Sequence, residues 1–188
     1  MRYITILVII LNLLGCSTLN SRIVVSYKKA IETQKLDHVK LAFNIQDLRE
    51  DKEIFGSDFK KTYDASRFDV ITVLQGKPEV DVDKNLSRLF YNAFEDRLQG
   101  FDIVGKDQNP SLLFNISILI FKLDFKKGHW IGDVIYDVKI FKEKEMLIDK
   151  RIRGYSTKLN VWGYRSGEAS ISEAFSNAIN SLELNLIK

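Results

Sequence analysis

The side chains of this sequence that could do chemistry fall at three places: a thiol, an acid–base pair and an aromatic, cationic loop. The thiol is Cys16, the only cysteine among 188 residues. It closes the stretch Leu13-Leu14-Gly15-Cys16, after a largely apolar run from Ile4 to Leu14 interrupted by Asn12. A Leu three positions before the cysteine and a small residue directly before it form the bacterial lipobox. The chemistry expected is thioether formation between the sulfur and a diacylglyceryl group, then cleavage between Gly15 and Cys16, where the small Gly15 suits a peptidase pocket. Acylation of the freed amine adds a further chain. Two or more acyl chains give stable anchoring, because each buried methylene contributes about 0.8 kcal/mol and a single chain is marginal. The apolar run has the length of a signal-peptide core, and a spanning helix needs roughly twenty residues. Its all-round apolar character lacks the stripe of an amphipathic core helix. With the one thiol alkylated, no disulfide is available to the exported fold.

The second place is "IQDLREDKEIFG", where Asp47 and Arg49 are near enough to form an ion pair or to bind loop backbone, and Gly56 marks a turn. A structural ion pair is the expected use. The third is "LNVWGYRSG", with Trp162, Tyr164 and Arg165, residue types enriched at binding hot spots. The structural alternative is that Trp162 caps the core and Tyr164 lies along the last helix. His38 and His129 lack ligand-like neighbours and read as exposed loop histidines. No zinc spacing, Walker loop, nucleophile elbow or dinucleotide fingerprint occurs. Asp133 and Asp137 share a strand face without any sign of burial. These absences point away from an enzyme, a metal or a cofactor other than the acyl groups on Cys16. Lys and Arg total 28 against 25 Asp and Glu, well mixed along the chain, so no basic arm or block suggests nucleic acid.

Behind these residues, the patterning predicts a signal peptide over 1–15, a lipidated N-terminus and tether over 16–37, and one domain over 38–188. Within the tether, "RIVVSY" suits a short extended segment docked on a sheet edge. Val39, Leu41, Phe43 and Ile45 alternate as in a half-buried strand, and "RFDVITVL" alternates again. Leu86, Leu89, Phe90, Ala93, Phe94, Arg97 and Leu98 follow helical spacing, with Asp81 or Asp83 as N-cap and Gly100 beyond the end. "FDIVG" is a short strand. Residues 111–160 form a three-strand meander at the sheet's centre, with a bulge near Ile120-Phe121 and a polar third strand at an edge. A closing helix follows, with Ser170 to Glu173 at capping-box spacing and Ser166 as an earlier start. The order is β-β-α-β-β-β-β-α. It predicts an α+β two-layer sandwich, a mostly antiparallel sheet with two helices on one face.

These features together resemble the YajG-type lipoproteins of Gram-negative bacteria. The resemblance rests on the lipobox, the extended "RIVVSY", a strand leading into Asp47, Arg49, Ile54 and Gly56, the Leu/Phe-rich helix ending at Gly100-Phe101, and the meander before a terminal helix. It implies an α+β periplasmic domain without an established activity. Ser17, where Asp would favour inner-membrane retention, implies delivery to the outer membrane facing the periplasm. The expected role is a non-catalytic binding or assembly module of the envelope, tethered to the membrane and meeting an envelope protein. The alternative is a carrier of lipid or of a small apolar ligand, as in auxiliary transport lipoproteins; it requires an apolar cavity between helices and sheet.

Overall fold

A computed structural model describes residues 21–30, 39–72, 77, 79–82 and 84–183. Cys16, Gly15, His38 and Asp83 lie outside these residues. The chain is an α+β sandwich, as the patterning predicts. Its strands are β1 (Ser21–Val25), β2 (Lys40–Asp47), β3 (Phe68–Thr72), β4 (Val80–Asp81), β5 (Asp102–Ile103), β6 (Leu112–Lys126), β7 (His129–Lys142) and β8 (Glu145–Leu159). Its α-helices are α1 (Ser57–Thr62), α2 (Leu86–Arg97) and α3 (Tyr164–Asn180).

Two sheets form where one was expected. The larger has the order β5-β2-β6-β7-β8, and a smaller one has the order β1-β3-β4. Alternation specifies which face of a strand is buried but not its partner, so the placement of β3 in a separate sheet is a correction. The large sheet is mixed: β2 runs parallel to both β5 and β6, while the long β6-β7-β8 meander is antiparallel. The meander occupies one side of that sheet, with β8 at the edge as expected. Leu119 is the extra residue of a bulge between Ile118 and Ile120. The buried set moves there from Phe114, Ile116 and Ile118 to Phe121 and Leu123, close to where the sequence places the change of face.

Helices α2 and α3 cover the inner face of the large sheet. Leu86, Leu89, Phe90, Ala93, Phe94 and Leu98 are buried as their spacing predicts. Asn85, and neither candidate aspartate, caps α2, its side chain accepting from the Arg88 N–H; Asp81 belongs to β4. Arg97 faces inward too, donating to the carbonyls of Ile179 and Leu182, where the carbonyls at the end of α3 lack intrahelical partners. Phe90 meets Tyr136 and Phe175 edge-on, with ring centroids 5.6 and 5.2 Å apart. Gly132 and Gly154 let α3 approach: a Cβ on Gly154 would lie 1.9 Å from the Ala174 carbonyl oxygen. Ser170 is therefore an interior residue of α3 and no cap. Its hydroxyl accepts from the Gly132 N–H at 2.9 Å and faces the Ser156 carbonyl at 2.9 Å.

Residues 21–30 are packed against the domain and not left as a free tether, since Ile23 and Val25 are fully buried. One edge of β1 pairs with β3. On the other side the backbone N–H groups of Val24, Ser26, Lys28 and Ala30 donate to Glu168, Ser172, Ser176 and Asn180, at 3.0, 3.0, 2.9 and 3.3 Å. The match is geometric. Two residues of extended chain advance about 6.7 Å and four residues of helix about 6.0 Å, so alternate amides meet every fourth helix residue. Asn180 also donates to the Lys28 carbonyl at 2.9 Å.

Both meander hairpins turn on two residues with positive φ: Lys127 (51°) and Gly128 (76°), then Glu143 (49°) and Lys144 (77°). Such turns match strand twist but disfavour side chains with a Cβ, by about 1 kcal/mol or more per residue. Lys144→Gly is expected to raise stability by about 1 kcal/mol, read as a higher urea midpoint with an unchanged slope. A lower midpoint would contradict this turn geometry.

A candidate interaction surface at one end of the sheet

The Asp47–Arg49 pair sits where β2 leaves the sheet. Leu48 still donates to the Ile118 carbonyl at 2.9 Å. The chain then loops outward at the Leu119 bulge and returns at Ile54–Gly56. There Leu123 donates to Ile54 at 2.8 Å and Gly56 donates to Leu123 at 2.9 Å. One edge of the 15-residue β6 is thus served by two pieces of chain with a loop between them. Asp47 holds that loop: its carboxylate takes Arg49 Nε and Nη2, both at 3.0 Å, and the Arg49 N–H at 3.2 Å. Arg49 is 4% exposed. Gly56 is required for space and not for an unusual dihedral, its φ being −70°. A Cβ there would stand 2.2 Å from the Asp124 carboxyl carbon. Asp124 in turn accepts from the Phe59 N–H at 2.6 Å at the start of α1. The sequence signals Asp47, Arg49 and Gly56 but gives no hint of Asp124.

The loop after β8 is pinned beneath and open above. Trp130, fully buried, donates to Asn160 Oδ1 at 2.9 Å and stacks on Tyr63 with centroids 5.4 Å apart. The Asn160 N–H donates to the Gly128 carbonyl at 2.9 Å, tying the loop to the β6–β7 turn. Trp162 donates from its backbone to Ser166 Oγ at 3.2 Å; α3 starts earlier than Ser166, behind Gly163 with φ 60°. Above this base, Trp162 is 75% exposed, Val161 61%, Leu159 60% and Tyr164 42%. The core is closed by Trp130, so Trp162 does not cap it. Arg165 is exposed. Lys126, Lys127 and Lys158 lie on the adjoining strand ends, Lys126 facing Asp58 at 3.8 Å and Lys158 paired with Glu173. Leu159 and Val161 extend the exposed patch beyond the residues signalled by type.

The same end receives the start of β1. Ser21 is in register with Phe68. Phe68 packs edge-on against Tyr63, which stacks on Trp130 under the loop.

Elsewhere among the described residues the surface charges are largely paired, while the Asn92 amide and the Thr72 hydroxyl are buried without a hydrogen-bond partner. Asp137 and Asp133 are held by bidentate contacts from Arg151 and Arg153 across the outer face of β7 and β8, at 2.7–2.9 Å. The Arg151 guanidinium beside Asp137 holds its carboxyl below the usual range. Burial pushes the Tyr136 phenol well up, and its hydroxyl donates to the Ala178 carbonyl at 3.1 Å inside the core. His129 is exposed, its Nδ1 3.1 Å from the Lys127 carbonyl. Surface clefts of ≈ 470 and ≈ 690 Å³ lie at the bulge, over Leu48, Ile120 and Arg151, and at the far end, over Pro110, Phe141 and Lys144. A third, of ≈ 300 Å³, opens between β2 and α2 over Phe43, Asn44, Arg88 and Tyr91. Among the described residues no three His, Cys, Asp or Glu side chains converge on a metal-sized site, and no helix is long and apolar enough to cross a membrane.

No family model matches the chain, and no curated protein matches it in sequence. Solved structures do match in shape. Protein XCC0632 from Xanthomonas campestris, a DUF330 protein, superposes with a TM-score of 0.56 at 10% identity, over 87% of this chain and 95% of that one. A candidate lipoprotein from Caulobacter crescentus gives 0.37 at 14% identity, over 53% and 79%. Protein CT253 from Chlamydia trachomatis gives 0.39 at 10% identity, over 79% and 93%. The first shows a shared fold; the other two superpose too weakly to add to it.

Burial works against ionisation of Asp47, but the Arg49 side chain and amide outweigh it and hold the carboxyl below its ordinary value. A depressed native value adds stability that is present at neutral pH and lost as acid protonates the group. Asp47→Asn is therefore expected to lower stability by about 2 kcal/mol at neutral pH, leaving a buried guanidinium without its carboxylate. Urea unfolding should show the gap closing as pH falls through the carboxylate range. A gap independent of pH would contradict the role given to this pair.

Proposed function

We propose that the chain is a lipid-anchored, non-catalytic binding module of the bacterial envelope, acylated on Cys16 and facing the periplasm from the outer membrane. The lipobox and the packing of the chain from Ser21 onward support an anchor joined to the domain by a short link. The space between β2 and α2 is an open surface cleft of ≈ 300 Å³ with Asn44, Arg88 and Lys106 in its lining, which favours interaction over enclosed carriage of an apolar ligand. The perturbed carboxylates of the surface are each explained by a hydrogen-bonded or ion-paired neighbour.

The observation that carries the binding role is β8. It spans 15 residues at the edge of the large sheet, bonded to β7 on one side only among the described residues. Such an edge presents a row of backbone donors and acceptors to an extended partner segment. Its lysines and arginines, each paired with a carboxylate of the chain, discourage indiscriminate pairing. Tyr155 and Met146 are exposed along it. A photo-crosslinking residue at either position in intact cells is expected to give one discrete adduct with an envelope protein, and one at Arg88 on α2 none. No discrete adduct from either β8 position would overturn this role.

A further inference from the structure

We infer that the end of the domain bearing Trp162 lies on the bilayer surface, with Leu159, Val161, Trp162 and Tyr164 in the headgroup region and Arg165 and Lys127 on lipid phosphates. The inference rests on the proposed acylation of Cys16 and adds a second, noncovalent contact that sets the orientation of the domain.

Three observations carry it. The first is chain length. Cys16 precedes Ser21 by five residues, a reach of at most roughly 18 Å. Ser21 begins β1 in register with Phe68, beside the Tyr63–Trp130 stack that underlies the loop. Acyl chains on Cys16 therefore hold this end, and not the opposite one, within a short distance of the hydrocarbon. The second is composition. Trp and Tyr prefer the membrane interface, where an apolar ring and a polar edge are both accommodated. Here they project from a backbone pinned by Asn160, Gly128 and Ser166, so insertion orders little that is not already ordered. The third is charge. Arg165 and Lys127 have no carboxylate partner among the described residues, and Lys126 and Lys158 stand beside them. Each basic residue near an anionic surface contributes about 1 kcal/mol.

The orientation has a consequence for the rest of the molecule. The ≈ 690 Å³ cleft near Phe141 and Lys144 and the start of β8 are turned away from the bilayer. The first part of the sheet edge and the membrane contact, which takes only the end of β8 at Leu159, then lie on different parts of the surface, and both can be engaged together.

The chain has two tryptophans, one fully buried and one exposed, which makes the test direct. The native protein, purified from membranes, is placed in vesicles of phosphatidylethanolamine with a minor share of phosphatidylglycerol, the acyl chains brominated near the headgroup. Contact quenching at that depth is expected to remove about half or more of the Trp162 emission. Trp162→Phe should leave only the unquenched emission of Trp130. Arg165→Glu with Lys127→Glu should reduce the quenching while the acyl anchor keeps the protein on the vesicle. Intact mass of the same sample reports acylation of Cys16 separately. Acylated, vesicle-bound protein whose Trp162 emission is unquenched would overturn the inference and leave the anchor standing. So would Trp162 shielded in cell membranes but unquenched in vesicles, because a protein partner would then cover the loop. A bare thiol would overturn the anchor itself and this orientation with it.

Discussion

Four polar side chains on one face of α3 decide where the polypeptide joins its domain. Glu168, Ser172, Ser176 and Asn180 take the outward amides of residues 24–30 one after another. An extended segment on the surface would otherwise leave those amides to water. Bound to the helix, the segment closes the edge of the small sheet and buries Ile23 and Val25 beneath it. The contact is cooperative in register, since a slip by one residue would turn both side chains outward and misalign every amide. The proposed membrane orientation depends on it, because the segment would convert the proposed lipid on Cys16 into a constraint on the domain.

The second organising constraint is the length of β6. At 15 residues it outruns β2, which has eight. The unserved part of its edge is taken by Ile54–Gly56 after a loop closed by Asp47 and Arg49. The bulge at Leu119 falls between the two pieces, where the strand has to re-aim its side chains. Gly56, the Asp124 carboxylate and the first turn of α1 then interlock. This station is built from ion pairs and close contacts, and its polar groups are directed at the chain itself.

Much of this was legible in local pattern. Strict alternation marks β6, β7 and their inward sets, including Val134, Tyr136, Val138 and Ile140, because each strand has one wet and one dry face. Helical spacing marks α2 through the same logic. Pattern carries no information on strand direction or partner, so the parallel pairing of β2 and the separate sheet of β3 were beyond it. The helix α1 was missed because six residues with one buried side chain, Phe59, show no period. Ser172 and Ser176 resemble a solvated face, and only the neighbouring strand reveals them as bonded. Trp162 was identified by residue type, and its exposure follows from a feature no local pattern holds: the other tryptophan already fills the space beneath.

The most direct test of the central constraint is amide hydrogen exchange of residues 24–30, resolved residue by residue by NMR on the mature chain. The account predicts that Val24, Ser26, Lys28 and Ala30 exchange as slowly as amides in the surrounding secondary structure, and that Ser172→Ala with Ser176→Ala releases Ser26 and Lys28 first. Exchange of these amides at the rate of an unstructured peptide would mean that the segment is not held by α3, and the orientation of the domain would lose its basis.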